Sequence, residues 1–138
     1  MIHQLNFSQC FRYGDSIEGI TLEAVLRYGQ ESATCSAKVD TGAHVCLFER
    51  EIGEGLGIEI ESGHRIRLST LTGTLMAFGH EVTLQTAGLT FHTLVYFPLT
   101  YKLRRNLLGR QGWLQLLRLG IVDYDNELFL GQYKEQAI

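Results

Sequence analysis

Apolar and polar residues alternate along much of this chain, and this period of two limits its fold more than any other feature. In residues 20–28 one face of an extended segment carries Ile20, Leu22, Ala24, Leu26 and Tyr28. Such alternation is typical of a strand buried on one face only. Similar patterns predict further strands at residues 32–39, 65–70, 75–86, 90–97, 121–124 and 128–132.

Turns and short helices complete this secondary-structure prediction. The chain has 138 residues with 15 Gly and 1 Pro, which suits many tight turns. Residues 71–74 separate two predicted strands and look like a hairpin tip. A Glu-rich helix is expected at residues 48–56, and a second at 110–118, where Trp113, Leu116 and Leu117 have helical spacing. The sequence therefore predicts one all-β domain over residues 1–138 with one or two short helices.

Composition excludes several functional classes. The 12 basic residues are scattered and the net charge is −3, which argues against nucleic-acid binding. No apolar stretch approaches the roughly 20 residues of a membrane span, and the N-terminus does not resemble a secretory signal. The three cysteines are widely spaced; we expect Cys35 and Cys46 to be buried small hydrophobes. We therefore expect a cytoplasmic protein with no bound metal, since the histidines are also spread out.

The most informative residues are Asp40, Thr41 and Gly42, which directly follow a predicted strand. A turn of this composition surrounds the carboxylate with backbone N–H groups that can orient it. Gly42 also leaves room for a second backbone or a substrate to approach closely. Because Asp-Thr-Gly is an ordinary turn sequence as well, these three residues alone allow both a catalytic and a purely structural interpretation.

The order of the surrounding motifs favours the catalytic interpretation. Asp-Thr-Gly is followed by Ala43, then by the predicted hairpin with Gly73, and then by an Asn-Leu-Leu-Gly-Arg run at residues 106–110. In this order the sequence resembles the retropepsin-like aspartic proteases, the single-domain family typified by retroviral proteases. The resemblance spans roughly residues 18–130. It implies a closed β-barrel domain with a flap, a hairpin that closes over the substrate.

The resemblance also implies roles for individual residues. Asp40 would be the catalytic aspartate, Thr41 would brace the site across a subunit boundary, and Gly42 would contact the substrate backbone. Substrate would also be bound by Lys38, Ala43 and the flap tip, which comprises Leu71, Thr72, Gly73, Thr74 and Leu75. Structural support behind the catalytic turn would come from Leu107, Leu108, Gly109 and Arg110.

The implied chemistry needs two carboxylates, and this chain supplies one. In aspartic proteases two carboxylates share a proton and activate a water, so no metal or other cofactor is needed. The four aspartates are Asp15, Asp40, Asp123 and Asp125, and only Asp40 lies in Asp-Thr-Gly. The resemblance therefore implies a homodimer with two-fold symmetry. It places the interface in the terminal strands, predicted here at residues 5–11 and 128–132.

Two residues depart from the family pattern. Lys38 stands where the family usually has an apolar residue, and i, i+2 spacing predicts that it shares a strand face with Asp40. Its ammonium would then favour acidic groups in the adjacent substrate pocket, or it would extend along its stem to solvent. His44 replaces an Asp that pairs, in retroviral relatives, with the Arg after the Leu-Leu-Gly motif. Arg110 is consequently expected either to have another partner or to face solvent.

Three functions follow from the sequence. The first is a homodimeric aspartic endopeptidase that cuts peptides bound in an extended conformation. The second is a dimeric peptide-binding module of the same fold that cleaves weakly or not at all. The third is a small β-barrel whose Asp-Thr-Gly is only a turn.

Overall fold

Nine β-strands and one short α-helix form most of the regular structure in residues 1–15 and 19–134, which the computed structural model describes. Residues 16–18 and 135–138, which the single-domain prediction includes, lie outside the described residues. The strands are β1 Gln9–Arg12, β2 Thr21–Tyr28, β3 Glu31–Val39, β4 His64–Thr70, β5 Gly73–Thr86, β6 Leu89–Pro98, β7 Leu107–Leu108, β8 Leu117–Val122 and β9 Glu127–Gln132. The helix α1 covers Arg50–Gly55, and single 3-10 turns cover Ile60–Ser62, Leu114–Leu116 and Asp123–Asp125.

The strands pair into two sheets. The larger has six strands, in the order β4-β5-β2-β3-β7, with β6 pairing the other edge of β5. All of its pairs are antiparallel except β3 with β7, which is parallel. The smaller sheet has the order β1-β9-β8 and is antiparallel. The all-β class is thus confirmed, although the pairings among the described residues give two sheets and not one closed ring.

The larger of two buried apolar clusters among the described residues takes side chains from both sheets. Along β2 the side chains of Leu22, Ala24 and Leu26 are fully buried, as the alternation predicts. They belong to the same buried cluster as Phe48 and Trp113. On β5 the alternating residues Val82 and Leu84 are buried too. The period of two therefore identified the core faces of these strands, except that Tyr28, predicted on the apolar face of β2, is exposed at the end of that strand.

The predicted helix at residues 48–56 is confirmed as α1, which begins two residues later. Gly57 ends it with a positive φ of 84°. The Gly57 N–H then donates to the Glu54 carbonyl and the Ile58 N–H to the Gly53 carbonyl, at 2.9 and 3.0 Å. This arrangement is a Schellman cap, in which a left-handed residue lets the last carbonyls of the helix find donors.

The predicted helix at residues 110–118 is wrong. Only the 3-10 turn Leu114–Leu116 forms there, and Leu117 already belongs to β8. Gly112 has a φ of 96°, a left-handed conformation that no α-helix contains. From Leu117 onward the backbone pairs with β9, so Gly120 lies inside a strand and does not end a helix. Strand pairing with a distant segment outweighs the helical spacing of the apolar residues.

Candidate active site

Asp40 lies immediately after β3, at the point where that strand runs beside β7. The Asp40 N–H donates to the Leu108 carbonyl at 3.0 Å, which continues the parallel pairing by one residue. A tight turn follows, in which the Ala43 N–H donates to the Asp40 carbonyl at 3.1 Å. The Gly42 N–H donates to Oδ1 of Asp40 at 3.0 Å. The turn thus orients the half-buried carboxylate, as its sequence predicts, while Thr41 stays exposed.

Gly109 lies directly against the far side of this turn. A Cβ at Gly109 would overlap the Val45 carbonyl and lie 2.9 Å from the Ala43 carbonyl oxygen. The next residue, Arg110, donates its N–H to that same Ala43 carbonyl at 2.9 Å. Only glycine lets the two backbones approach this closely. The Leu-Leu-Gly run therefore supports the Asp40 turn through main-chain contacts.

The two leucines of this run have different neighbours. Leu107 exchanges two backbone hydrogen bonds with Leu47, at 3.0 and 2.7 Å. Leu108 is fully buried in the main core. Together they join the segment after Asp-Thr-Gly to β3. Residues 40–43 and 107–109, which are far apart in sequence, thus form one hydrogen-bonded unit, which we call the platform.

Asn106 is a supporting residue to which sequence reasoning assigned no role. Its Oδ1 accepts from the Glu49 N–H at 2.9 Å, and its Nδ2 donates to the Ser36 carbonyl at 3.1 Å. Its own carbonyl accepts from the Lys38 N–H at 2.8 Å. Asn106 thus connects β3 with the segment leading into α1. Its position directly before Leu-Leu-Gly was the available signal, because a short amide there can bond to two backbones at once.

A β-hairpin formed by β4 and β5 stands opposite this platform. Thr70 pairs with Gly73 across the turn at Leu71 and Thr72, as the sequence predicts. Oγ1 of Thr70 donates to the Gly73 carbonyl at 2.8 Å. Leu71 at the tip is fully exposed. The hairpin tip is therefore exposed and held by bonds within the hairpin.

A groove of about 910 Å³ separates the hairpin from the platform. Eight of the predicted site residues line it: Gly42, Ala43, Leu71, Thr72, Gly73, Thr74, Leu75 and Leu107. The structure thus brings the residues after Asp40 and the whole hairpin tip to one cavity. Asp40 and Thr41 are not among the residues that line the groove. Asp40 is connected to it through Gly42, whose N–H donates to Oδ1 of Asp40.

Other predicted site residues lie outside this groove. Lys38 runs alongside Gly19, with its Cε 3.6 Å from where a Gly19 Cβ would be. Leu108 and Gly109 lie behind the turn. Arg110 is exposed, and no ion pair among the described residues includes it.

The cysteines do not offer nucleophiles in this arrangement. Cys46 is fully buried, and its Sγ accepts a hydrogen bond from the Gly109 N–H at 3.4 Å. Burial raises the pKa of the Cys46 thiol to about 12 and that of Cys35 to about 11. Both therefore stay protonated thiols at neutral pH. Cys46 is the buried small apolar side chain that was expected, whereas Cys35 is only partly buried.

Neither a metal cluster nor a membrane-spanning helix is found in the part of the chain that the structure describes. Across residues 1–15 and 19–134 no three His, Cys, Asp or Glu side chains form a group able to hold a metal ion. None of the helices there is long and apolar enough to cross a bilayer.

Comparison with known proteins identifies the fold. A retropepsin-like aspartic protease from Rickettsia conorii superposes with a TM-score of 0.65 at 18% identity, covering 87% of this chain and 97% of that one. EIAV protease complexed with the inhibitor HBY-793 superposes with a TM-score of 0.54 at 16% identity, covering 70% and 86%. No protein-family model matches the sequence, and no curated protein matches it significantly. The chain has a retropepsin-like fold.

Proposed function

We propose that this protein is an aspartic endopeptidase that works as a homodimer, with one Asp40 from each subunit. The observation that carries the proposal is the Asp40 turn itself. Its carboxylate is oriented by the Gly42 N–H at 3.0 Å, the turn is backed by Gly109, and the next residues, Gly42 and Ala43, line a groove together with the hairpin tip. A turn with a purely structural role does not require both the close approach of Gly109 to the Val45 carbonyl and a groove lined by Gly42.

Two copies are needed because the chain offers no second carboxylate of this kind. Asp123 accepts a hydrogen bond from the Tyr13 hydroxyl, and Asp15 and Asp125 are exposed on other loops. A two-fold axis beside the Asp40 turn would bring the two equivalent carboxylates together. The exposed Thr41 would then lie at the subunit boundary, where the resemblance assigns it a bracing role.

The smaller sheet, β1-β9-β8, supports the dimer proposal, but with an interface that does not use the predicted strand at residues 128–132. Strand β9 is central, because β1 and β8 pair with both of its edges, so it has no free edge for a partner. The N-terminal residues before β1 expose Ile2 and Leu5, and the end of β8 exposes Ile121 and Val122. Exposed apolar side chains are found on surfaces that another chain covers. We propose that the N-terminal segment and β8 provide the interface.

The proposed mechanism needs no group beyond these residues and water. Two carboxylates about 3 Å apart share one proton, since both cannot ionise cheaply. The ionised Asp40 takes a proton from the water, whose oxygen attacks the scissile carbonyl, while the protonated Asp40 donates to the carbonyl oxygen. Collapse of this tetrahedral diol breaks the C–N bond. The departing nitrogen takes the proton that the first Asp40 received from water, and a diol hydroxyl gives its proton to the second Asp40, which restores the shared proton. The substrate would lie extended in the groove and bond to the hairpin as an added strand.

The test compares Asp40→Asn with Asp125→Asn, an exposed aspartate that serves as the matched control. Peptide cleavage should fall at least about a thousandfold in the first variant and stay unchanged in the second, because an amide cannot accept the proton from water. A statine-type inhibitor titrated by calorimetry should bind one molecule per two chains. Cleavage that survives Asp40→Asn would refute the proposal. Inhibitor binding without any cleavage by the unmodified protein would favour the binding-module alternative.

A further inference from the structure

The groove beside Asp40 has a charge opposite to that of the whole protein. The chain carries 15 acidic and 12 basic residues, for a net charge of −3. The charged residues that line the groove are nevertheless Arg67, Lys102 and Arg105, and no Asp or Glu of the described residues is among its lining. The groove is therefore a cationic cleft on an anionic protein.

These three cations are not engaged by carboxylates of the described residues. The ion pairs there join Arg50 to Glu54 and Glu61, and Arg104 to Glu51. Arg67, Lys102 and Arg105 take part in none of them, and all three side chains are exposed. Their positive charge is consequently available to a ligand in the groove.

The three cations come from the two opposite sides of the groove. Arg67 belongs to β4, where it pairs with Met76 of the hairpin. Arg105 directly precedes Asn106, whose side chain and carbonyl make three hydrogen bonds at 2.8 to 3.1 Å. Lys102 lies in the same loop as Arg105, where its N–H donates to Oγ1 of Thr100 at 3.0 Å. A bound chain would therefore pass between cations on both sides.

Arg104, which lies between Lys102 and Arg105 in the sequence, shows that this placement of cations is selective. Arg104 does not line the groove, and its guanidinium lies 3.9 Å from the Glu51 carboxylate of α1. Of the three cations in residues 102–105, Lys102 and Arg105 therefore line the groove, and Arg104 lies toward α1. Arg104 is a natural control, with the same charge at almost the same place in the sequence.

We infer that this groove selects acidic peptides, with Asp or Glu side chains on the substrate residues that flank the scissile bond. The inference rests on the proposed function and specifies its substrate class. In the proposed homodimer the two-fold axis repeats the three cations, so acidic residues would be favoured on both sides of that bond. Charge complementarity of this kind acts mainly on substrate capture and is weakened by salt. Lys38, lying along Gly19, is not among the residues responsible.

The experiment uses two randomised decapeptide libraries that are identical except that every Glu of one is Gln in the other. Cleavage is followed by mass spectrometry at low and high salt. We expect the Glu library to be cleaved about tenfold faster at low salt, with the difference lying in KM and shrinking at high salt. Arg105→Gln and Arg67→Gln should each reduce this preference several-fold, and Arg104→Gln should leave it unchanged. Equal cleavage of both libraries, or an equal effect of Arg104→Gln, would overturn the inference.

A second measurement separates this inference from the proposed activity. The same libraries, labelled with a fluorophore, are bound to the Asp40→Asn protein and followed by anisotropy. Tighter binding of the Glu library, lost in Arg105→Gln but kept in Arg104→Gln, would support the acidic preference even if the unmodified protein cleaved nothing. Equal binding of the two libraries, or binding of neither, would overturn the preference whatever the outcome for catalysis.

Discussion

The two sides of the groove are built in different ways. The platform, residues 40–43 and 107–109, is held by hydrogen bonds between segments far apart in sequence, such as Asp40 with Leu108 and Arg110 with Ala43. The hairpin tip, residues 71–74, is exposed, and its side-chain hydrogen bonds among the described residues, from Thr70 to Thr72 and Gly73, stay within the hairpin. The platform can therefore hold a carboxylate in a constant geometry. Displacement of the tip by a ligand would break none of these bonds to residues outside the hairpin.

The sharpest test of the platform is Gly109→Ala. The new methyl group would overlap the Val45 carbonyl, so the backbone of the platform must move apart. We expect the free energy of unfolding to fall by about 3 kcal/mol. The measurement is urea denaturation monitored by tryptophan fluorescence, since Trp113 is fully buried.

Gly55→Ala is the matched control for that substitution. Gly55 is the last residue of α1, and an added Cβ there meets no atom within 4 Å. Alanine in a helix loses less backbone entropy than glycine, so this variant should gain about 0.5 kcal/mol. If Gly109→Ala and Gly55→Ala lower the free energy of unfolding by similar amounts, the close backbone approach at Gly109 is contradicted.

A smaller loss is expected for Asn106→Ala. The substitution leaves the Glu49 N–H and the Ser36 carbonyl without their side-chain partner. We expect a fall of about 1–2 kcal/mol in the free energy of unfolding, because neutral hydrogen bonds of this kind contribute about 1 kcal/mol each. Asn6→Ala, at an exposed N-terminal position, should change it negligibly. If Asn106→Ala lowers the free energy of unfolding no more than Asn6→Ala does, Asn106 does not join the two segments.

The smallest stability effect is expected at the hairpin tip. Leu71→Ser removes no packing contact, so the free energy of unfolding should change by less than about 0.5 kcal/mol. The proposed peptidase activity should still decline through a higher KM, because the tip would lose apolar contact with substrate. Leu68→Ser in the same hairpin should instead destabilise the protein, since Leu68 packs against the cluster of Val45, Leu47, Ala77 and Tyr96. Unaltered KM in Leu71→Ser would contradict a flap role.

The parts of the fold that sequence predicted are those set by local pattern. Alternation located the buried faces of β2 and β5 because successive strand side chains point to opposite sides. The helix α1 and the turn at Leu71 and Thr72 also follow from nearby residues. Helical spacing failed at residues 110–118, because the positive φ of Gly112 and the pairing of Leu117 with Gln132 depend on the rest of the molecule.

The sequence alone determined the Asp-Thr-Gly turn and the presence of one such aspartate per chain. Local composition specifies these features, because the turn chemistry and strand period extend over only a few residues. The tertiary structure alone decided that Asn106 joins two segments, that Lys38 lies along Gly19, and that Arg67 faces the same groove as Arg105. Those contacts depend on how distant backbones pack together, and no local pattern encodes the distance between them.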